Sequence, residues 1–178
     1  MPGNRKLILY IAASLDGYIA TNTGDLAFLS AVEKAGEDYG YADFIAGIDT
    51  VILGRKTYDK VLSFGIPFPH ADKKTFVITR SEKPAERNIV FYTKSLAELI
   101  GALKQESGKN IFCDGGGELV HELLKQELID ELIISYIPVL LGDGIPLFKN
   151  GRPQQALELL SAKSFEKGLV QLHYRCKK

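Results

Sequence analysis

The chain has 178 residues, of which 46% are hydrophobic and 25% are charged, and this composition suits one compact α/β domain over residues 1–178 rather than two. Its 22 Lys and Arg residues balance its 22 Asp and Glu residues, so the sequence lacks the electrostatic footprint of a nucleic-acid-binding protein. We therefore expect a small-molecule partner and no nucleic acid.

The amino terminus and the two cysteines bear on where the protein works. The apolar stretch in "KLILYIAA" is too short to span a bilayer, and no small-residue cleavage site follows it. Cys113 lies in a predicted strand and Cys176 near the carboxyl end, without the paired spacing or histidine cluster of a metal site. We expect a cytoplasmic protein, away from membranes, with two reduced thiols and no metal.

Strand-like and helix-like segments alternate along the first two thirds of the chain. The predicted strands are short, apolar and rich in β-branched or aromatic residues: "KLILYIAA", "TVILG", "TFVIT", "NIVFYT" and "NIFCDG". The predicted helices are "YADFIAGI", "KTYDKVL", "SLAELIGALKQE" and "ELVHELLKQ", and Ser95 with Glu98 forms a capping box at the third of these. Because the strands are almost continuously apolar, we expect them to be buried on both faces of a parallel sheet.

The last third of the chain has a different pattern. Pro138 interrupts the strand-like run "DELIISYIPVLLG", which favours an edge strand or a bulge. The segment "ALELLSAKSFEKGLVQLHYRC" predicts a hairpin that turns near Lys167 and Gly168. The predicted fold is therefore α/β: a mixed, mostly parallel sheet flanked by helices, with an antiparallel carboxyl-terminal hairpin.

Three polar or glycine-rich stretches follow predicted strands: "GRKT" at 54–57, "ITRS" at 78–81 and "DGGGEL" at 114–119. Ligands of open α/β sheets collect beyond the carboxyl ends of the strands, and a helix start favours an anion. The three consecutive glycines either form a tight strand-to-helix turn or let backbone N–H groups contact a pyrophosphate. The standard phosphate loops do not fit, because Val120 stands where a Rossmann motif needs glycine and no Walker-type motif is present.

Taken in order, "VILGRKTYDKVL", "FGIPFP", "TFVITRS" and "IFCDGGGELVHELL…DELIISYIPVLLGDGIPLF" resemble the dihydrofolate reductase superfamily over most of the chain. The resemblance is closest to the reductase domain of bacterial riboflavin biosynthesis, which also begins with a segment like "SLDGYIA" at 14–20. It implies the three-layer dihydrofolate-reductase-like fold and an NADPH cofactor. It also implies a cis peptide bond between Gly115 and Gly116.

The resemblance also implies where NADPH binds. Gly54, Arg55, Lys56 and Thr57 are expected at its phosphates, and Thr79, Arg80 and Ser81 near the 2′-phosphate. The pyrophosphate and the nicotinamide side are expected over Gly115, Gly116, Gly117, Glu118 and Leu119. Ala13 and Ile19 are expected to border the nicotinamide.

The chain departs from the family in ways that limit the substrate. After "FGIPFP", dihydrofolate reductases usually continue with a Gly-Arg-Lys that binds the folate tail, whereas this chain continues with "HADKK" at 70–74. It has no Trp, and it lacks the zinc signature of the deaminase that accompanies the riboflavin reductase. The sequence therefore predicts a free-standing reductase domain and disfavours ordinary dihydrofolate reduction.

Reduction by hydride transfer needs a proton at the heteroatom, which a carboxyl group supplies directly or through water. Asp25, in "GDLAFL", has a local sequence like that around the family's acid. Asp38 instead lies about as many residues before the Gly-Arg motif as the family's acid does. Asp16 is the third candidate and could instead cap its own loop, and a surface or capping role is open for all three. His70, His121 and His173 are expected to be structural or solvent-facing.

The sequence thus predicts an NADPH-dependent oxidoreductase of a small heterocyclic or ribosyl-imine-like molecule, similar to 5-amino-6-(5-phosphoribosylamino)uracil reductase. The alternatives are a dihydrofolate or pterin reductase, and an NADP(H)-binding module without catalysis. A homodimer is also expected, because Pro138 and the terminal hairpin indicate an exposed sheet edge and the riboflavin-reductase branch is generally dimeric.

Overall fold

The computed structural model describes residues 3–178, and its elements follow the predicted alternation. The strands are β1 Leu7–Ser14, β2 Tyr18–Ala20, β3 Ile48–Gly54, β4 Lys74–Ile78, β5 Ile89–Tyr92, β6 Asn110–Gly115, β7 Glu131–Ile137, β8 Ile145–Pro146, β9 Leu157–Ser164 and β10 Val170–Cys176. The helices are α1 Tyr41–Ala46, α2 Arg55–Ser63, α3 Leu96–Gln105 and α4 Gly117–Lys125, with a 3₁₀ helix at Ala27–Val32. The predicted cap of α3 is confirmed, because the Ser95 hydroxyl accepts the backbone N–H of Glu98.

Eight strands form one sheet in the order β5-β4-β3-β6-β1-β7-β10-β9, and β2 pairs with β8 in a small separate sheet. Every neighbouring pair from β5 to β7 is parallel, whereas β10 is antiparallel to both β7 and β9. Gly168, with φ of 84°, lies in the turn between β9 and β10 where the hairpin was predicted. The mixed, mostly parallel sheet with its antiparallel carboxyl-terminal hairpin is confirmed.

Helices cover both faces of the sheet, because alternate residues of each parallel strand point to opposite sides. On one face α3 and α4 pack their leucines against Leu7, Leu9, Ile111 and Cys113. On the other face α1 and α2 enclose a second core, rich in aromatic rings, around Val51, Leu53 and Phe112. Nowhere between residues 3 and 178 is a helix long and apolar enough to cross a membrane.

The prediction for Pro138 is wrong. β7 is an interior strand with β1 on one side and β10 on the other, and Pro138 follows its last residue. A proline there removes no ladder N–H, so the strand needs neither an edge position nor a bulge. The true edge on this side of the sheet is β9, most of whose residues are exposed on both faces.

Candidate functional site

Two helices begin next to each other at the carboxyl edge of the sheet. β3 and β6 are parallel neighbours, α2 follows β3 directly, and α4 follows β6 after one residue. The residues at the two N-caps, Gly54 and Gly116, carry no side chain, and a Cβ atom at Gly54 would lie 3.6 Å from the backbone nitrogen of Gly116. Unpaired N–H groups and partial positive charge thus meet from two helices, which favours a phosphorylated ligand.

The three consecutive glycines each have a different physical reason. Gly115 has φ of 98°, a conformation that favours glycine, and its bond to Gly116 is cis, as the resemblance implied. A Cβ at Gly116 would lie 3.0 Å from the hydroxyl oxygen of Thr57 in α2. A Cβ at Gly117 would lie 3.3 Å from the carbonyl oxygen of Pro146, so Gly117 is required by packing against β8. Of the three glycines, only Gly116 would direct a Cβ toward the start of α2.

The cations expected at the phosphates differ in how far they are engaged. Arg55 donates to Asp59 one turn along α2, at 2.9 Å from Nε, and its guanidinium lies 5.9 Å from the centre of the Phe91 ring. Lys56 and Arg80 are exposed, and neither forms an ion pair with any residue from 3 to 178. Lys56 and Arg80 are therefore available to a ligand, while Arg55 is held against its own helix.

The turn after β4 presents Arg80 at its tip. The backbone N–H of Thr79 donates to the carbonyl of Tyr92 on β5, which continues the pairing of β4 with β5. The Thr79 hydroxyl accepts the backbone N–H of Ser81 at 3.2 Å. These bonds hold Thr79 and Ser81 in place and leave the Arg80 side chain in solvent.

The remaining residues expected around the nicotinamide are unequally accessible. Ala13 is fully buried in β1, and Leu119 is buried in the core beneath α4. Ile19 is half-buried beside the first turn of α4, and Glu118 is exposed. Glu118 pairs with Lys149, and that hydrogen bond is the main reason that the pKa of Glu118 is lowered.

Asp38 and Asp25 both bind backbone N–H groups at helix starts. The Asp38 carboxylate accepts the N–H groups of Ala42 and Gly40, each at 2.9 Å, and these bonds lower its pKa. Asp25 accepts the N–H of Ala27 at 2.7 Å, where the 3₁₀ helix begins. Both carboxylates are exposed. Their geometry is that of capping residues, and their proposed role in proton delivery remains a prediction.

Asp16 joins two loops. Its carboxylate accepts the hydroxyl of Ser14 at 2.5 Å, the bond that lowers its pKa most, and the N–H groups of Leu141 and Gly142. It therefore holds the segment after β7 against the end of β1, in addition to its bond with Ser14 within its own turn.

The sequence analysis missed a pair of residues at the end of β6. His70 is only 3% exposed, and its Nε2 lies 3.1 Å from Oδ2 of Asp114, the residue before the three glycines. Asp114 remains partly exposed, and its charge is the second cause, after burial, that raises the pKa of Tyr41 in α1 to about 12. The pair therefore belongs to the α1 and α2 face of the site.

One sequence signal could have found Asp114: it is the last polar residue of an otherwise apolar strand, directly before the glycines. No comparable signal marks His70, which lies in a loop 44 residues away. The other two histidines lie away from Asp114. His121 is half-buried in α4, and His173 binds Glu131, the first residue of β7, at 2.9 Å.

Comparison with known proteins gives consistent results. The family model for the RibD C-terminal domain matches residues 5–171. The uncharacterized protein YwjB of Bacillus subtilis is 44% identical over 171 residues, covering 96% of this chain and 97% of YwjB. A structure from Shewanella sp. PV-4, named for riboflavin biosynthesis, superposes with a TM-score of 0.89 at 31% identity, covering 97% of this chain and 99% of that one.

A more distant structure has the same fold. Dihydrofolate reductase from Enterococcus faecalis, solved with NADP(H) and RAB-propyl, superposes with a TM-score of 0.70 at 19% identity over the full length of both chains. The dihydrofolate-reductase-like fold expected from the sequence is confirmed.

Replacing Asp38 with Ala should reduce thermal stability at pH 7 because two N–H groups lose their acceptor. The pKa of Asp38 is lowered in the folded protein, so its contribution is complete above its ordinary value of 3.8 and disappears as pH falls through the folded value. Melting temperatures of both proteins from pH 7 to pH 2.5 should therefore converge at the acid end. Asp38→Asn, which keeps an oxygen acceptor, should lose less, and a constant difference at all pH values would contradict the capping role.

Proposed function

The chain belongs to the RibD C-terminal domain family, and from this premise we propose that it is an NADPH-dependent reductase of a small heterocyclic or ribosyl-imine-like substrate. The observation that carries the proposal is the pair of adjacent helix starts after Gly54 and Gly116, which provide two sets of unpaired N–H groups at one place. A pyrophosphate needs such a paired site. The dihydrofolate reductase with the same fold was solved with NADP(H), which supports the choice of cofactor.

NADPH, when bound, would supply the hydride, and the protein would supply binding, orientation and the proton. The backbone N–H groups at the starts of α2 and α4 would hold the pyrophosphate, with Lys56 beside them. Arg80, exposed at the tip of the turn after β4, would bind the 2′-phosphate with its planar guanidinium. An NAD site would instead favour an acidic residue there.

Of the three carboxylates considered as proton sources, Asp16, Asp25 and Asp38, we propose Asp38. Burial is the main cause that raises the pKa of Tyr10, and the charge of Asp38 adds to it. The Tyr10 ring lies 5.7 Å from that of Tyr41, so Asp38 borders the same aromatic face as Asp114. Because its own pKa is lowered, Asp38 would act by ordering a water molecule rather than as a direct acid. Asp25 has no such link to this face in the structure of residues 3–178.

We also propose that the protein works in the cytoplasm, where its two buried, unpaired cysteines would stay reduced.

A direct test of the function is NADPH consumption with pterins and pyrimidine ribosyl compounds, alongside a titration of NADPH binding. Saturable binding without turnover of any compound would favour a module without catalysis. Turnover of pterins alone would favour the pterin-reductase alternative.

Arg80→Ala should weaken NADPH binding by about 1.5–3 kcal/mol, the range for a hydrogen bond to a charged group. NADH has no 2′-phosphate, so its affinity should change little. Fluorescence titration of both cofactors against both proteins measures the difference. Lys83→Ala is the matched control, because Lys83 is an exposed cation of the same loop that lies over the Phe91 ring. Equal losses for NADPH and NADH would place Arg80 away from the 2′-phosphate.

Gly116→Ala should lower NADPH affinity by about tenfold or more, equivalent to about 1.4 kcal/mol, because its methyl group would enter the gap between the two helix starts. The added Cβ would also lie 3.0 Å from Thr57 Oγ1, so the double variant Gly116→Ala with Thr57→Ala separates the two effects. If the ligand is obstructed, the loss persists relative to Thr57→Ala alone. Gly101→Ala, at an open position in α3, should bind NADPH normally.

We further propose a homodimer, based on the edge strand β9. Leu157, Leu159 and Val170 are between 39% and 54% exposed on the terminal hairpin, and β9 has a neighbour on one side only. An exposed apolar edge of this kind is commonly covered by association. A second copy of the chain is the partner that we propose.

Light scattering should therefore give a mass near twice that of the 19.6 kDa chain. Leu159→Lys should shift the mass toward one chain, because a charge would be buried at the contact. Lys163→Glu, an exposed change on the same strand, is the control and should leave the dimer intact. A mass of one chain for the unaltered protein at high concentration would rule out the dimer.

A further inference from the structure

The pair formed by His70 and Asp114 differs from a surface ion pair because its histidine is buried and fixed by packing. The His70 side chain is 4% exposed, and its ring packs edge-on against Phe68 and Phe112 at 5.5 and 5.7 Å between centres. Its carbonyl accepts the backbone N–H of Lys73 and the side-chain amide of Asn88. The imidazole is thus fixed from several directions while its Nε2 points at the carboxylate.

The two ring nitrogens of His70 have different surroundings. Nε2 contacts Oδ2 of Asp114 at 3.1 Å, whereas the buried Nδ1 has no hydrogen-bond partner among residues 3–178. A proton on Nδ1 would be an unsatisfied donor in the interior, so the tautomer with its proton on Nε2 is favoured. His70 therefore donates to Asp114.

Asp114 is set apart from the regular strand. The pairing of β3 with β6 passes from Ile52 opposite Cys113 to Leu53 opposite Gly115, so Asp114 is left out of the register. Such irregularities often direct a side chain toward a functional site. The side chain is 27% exposed, and Oδ1 accepts no hydrogen bond from the part of the chain described, residues 3–178. Oδ2 of Asp114 is thus held by His70, and Oδ1 is free to accept a hydrogen bond from a ligand.

Two further carboxylates border this face, and one of them is paired with a lysine. Asp72 follows His70 by two residues and pairs with Lys73 at 2.9 Å, and Asp38 stands at the start of α1. A ligand that brings a second anion to Oδ1 would meet repulsion, whereas one that brings N–H donors would complete the hydrogen bonds of the carboxylate.

We propose that His70 is a positioning residue that fixes Asp114 as an acceptor for an amino or ring N–H group of an uncharged or cationic heterocyclic substrate. This inference deepens the proposed function and rests on it for the identity of the site. It assigns Asp114 to recognition of the substrate and His70 to holding the carboxylate in one orientation.

The test uses two probes with the same ring, 6-aminouracil and uracil-6-carboxylate, and measures their binding by calorimetry with and without NADPH. The unaltered protein should bind 6-aminouracil and discriminate against the carboxylate by about tenfold or more. NADPH affinity is titrated separately on every protein. Loss of NADPH binding with retained 6-aminouracil binding would contradict the proposed function alone.

Three variants separate positioning from structure. His70→Phe keeps a ring without a donor and should weaken 6-aminouracil binding by about tenfold, with unchanged NADPH affinity. His70→Gln keeps a donor near the position of Nε2 and should restore most of the binding. His173→Phe removes the similar pair with Glu131 at the opposite edge of the sheet and should have no effect.

Asp114→Asn supplies the measurement if His70→Phe does not fold, and it should lose both affinity and discrimination. The proposal is overturned if the unaltered protein binds neither probe, or if it binds the carboxylate as tightly as the amine. It is also overturned if His70→Gln is no better than His70→Phe, since a purely structural histidine gives that result.

Discussion

The near contact between Gly54 and Gly116 is the constraint on which the rest of the site depends. Two parallel strands end side by side, each leads into a helix, and the backbones come so close that a Cβ at Gly54 would touch the other segment. Glycine at both N-caps leaves the first N–H groups of both helices without a side-chain acceptor. The sheet thus holds the two helix starts side by side. Together they offer more unpaired N–H groups at one place than either helix could offer alone.

The two cores give the two faces of this edge different chemistry. The face under α3 and α4 is aliphatic, and its residues fix the helix that follows the glycines. The opposite face is aromatic, with Tyr10 stacked on Phe44 at 4.5 Å and Phe112 against both Phe44 and His70. Flat rings around a carboxylate suit a flat heterocycle, whereas the glycines suit a phosphate. In the function that we propose, cofactor and substrate would therefore bind to separate surfaces that meet at Gly115.

Much of the fold could be predicted because its signals are local. Short apolar runs marked the parallel strands, and the spacing of Ser95 and Glu98 marked the start of α3. The edge strand or bulge predicted at Pro138 was wrong, because an apolar run shows where a strand can form but not where its pairing stops. β7 ends one residue before Pro138. His70 and Asp114 meet only through the arrangement of β4 and β6 around β3, which no sequence spacing records. The family resemblance placed the glycines, but not the bonds that occupy Asp38 and Arg55.

The omission of Asp114 from the pairing of β3 with β6 has a consequence for the length of this segment. Successive residues of a strand point to opposite sides, so one residue outside the register changes which side every later residue faces. Phe112 still reaches the aromatic core, and Gly117 still reaches β8. Removing or adding a single residue between them would reverse this parity at the end of β6 and turn Gly116 away from Thr57 in α2. The number of residues between Phe112 and Gly117 is therefore constrained as tightly as their identity, and a loop-length change tolerated elsewhere on the surface would not be tolerated here.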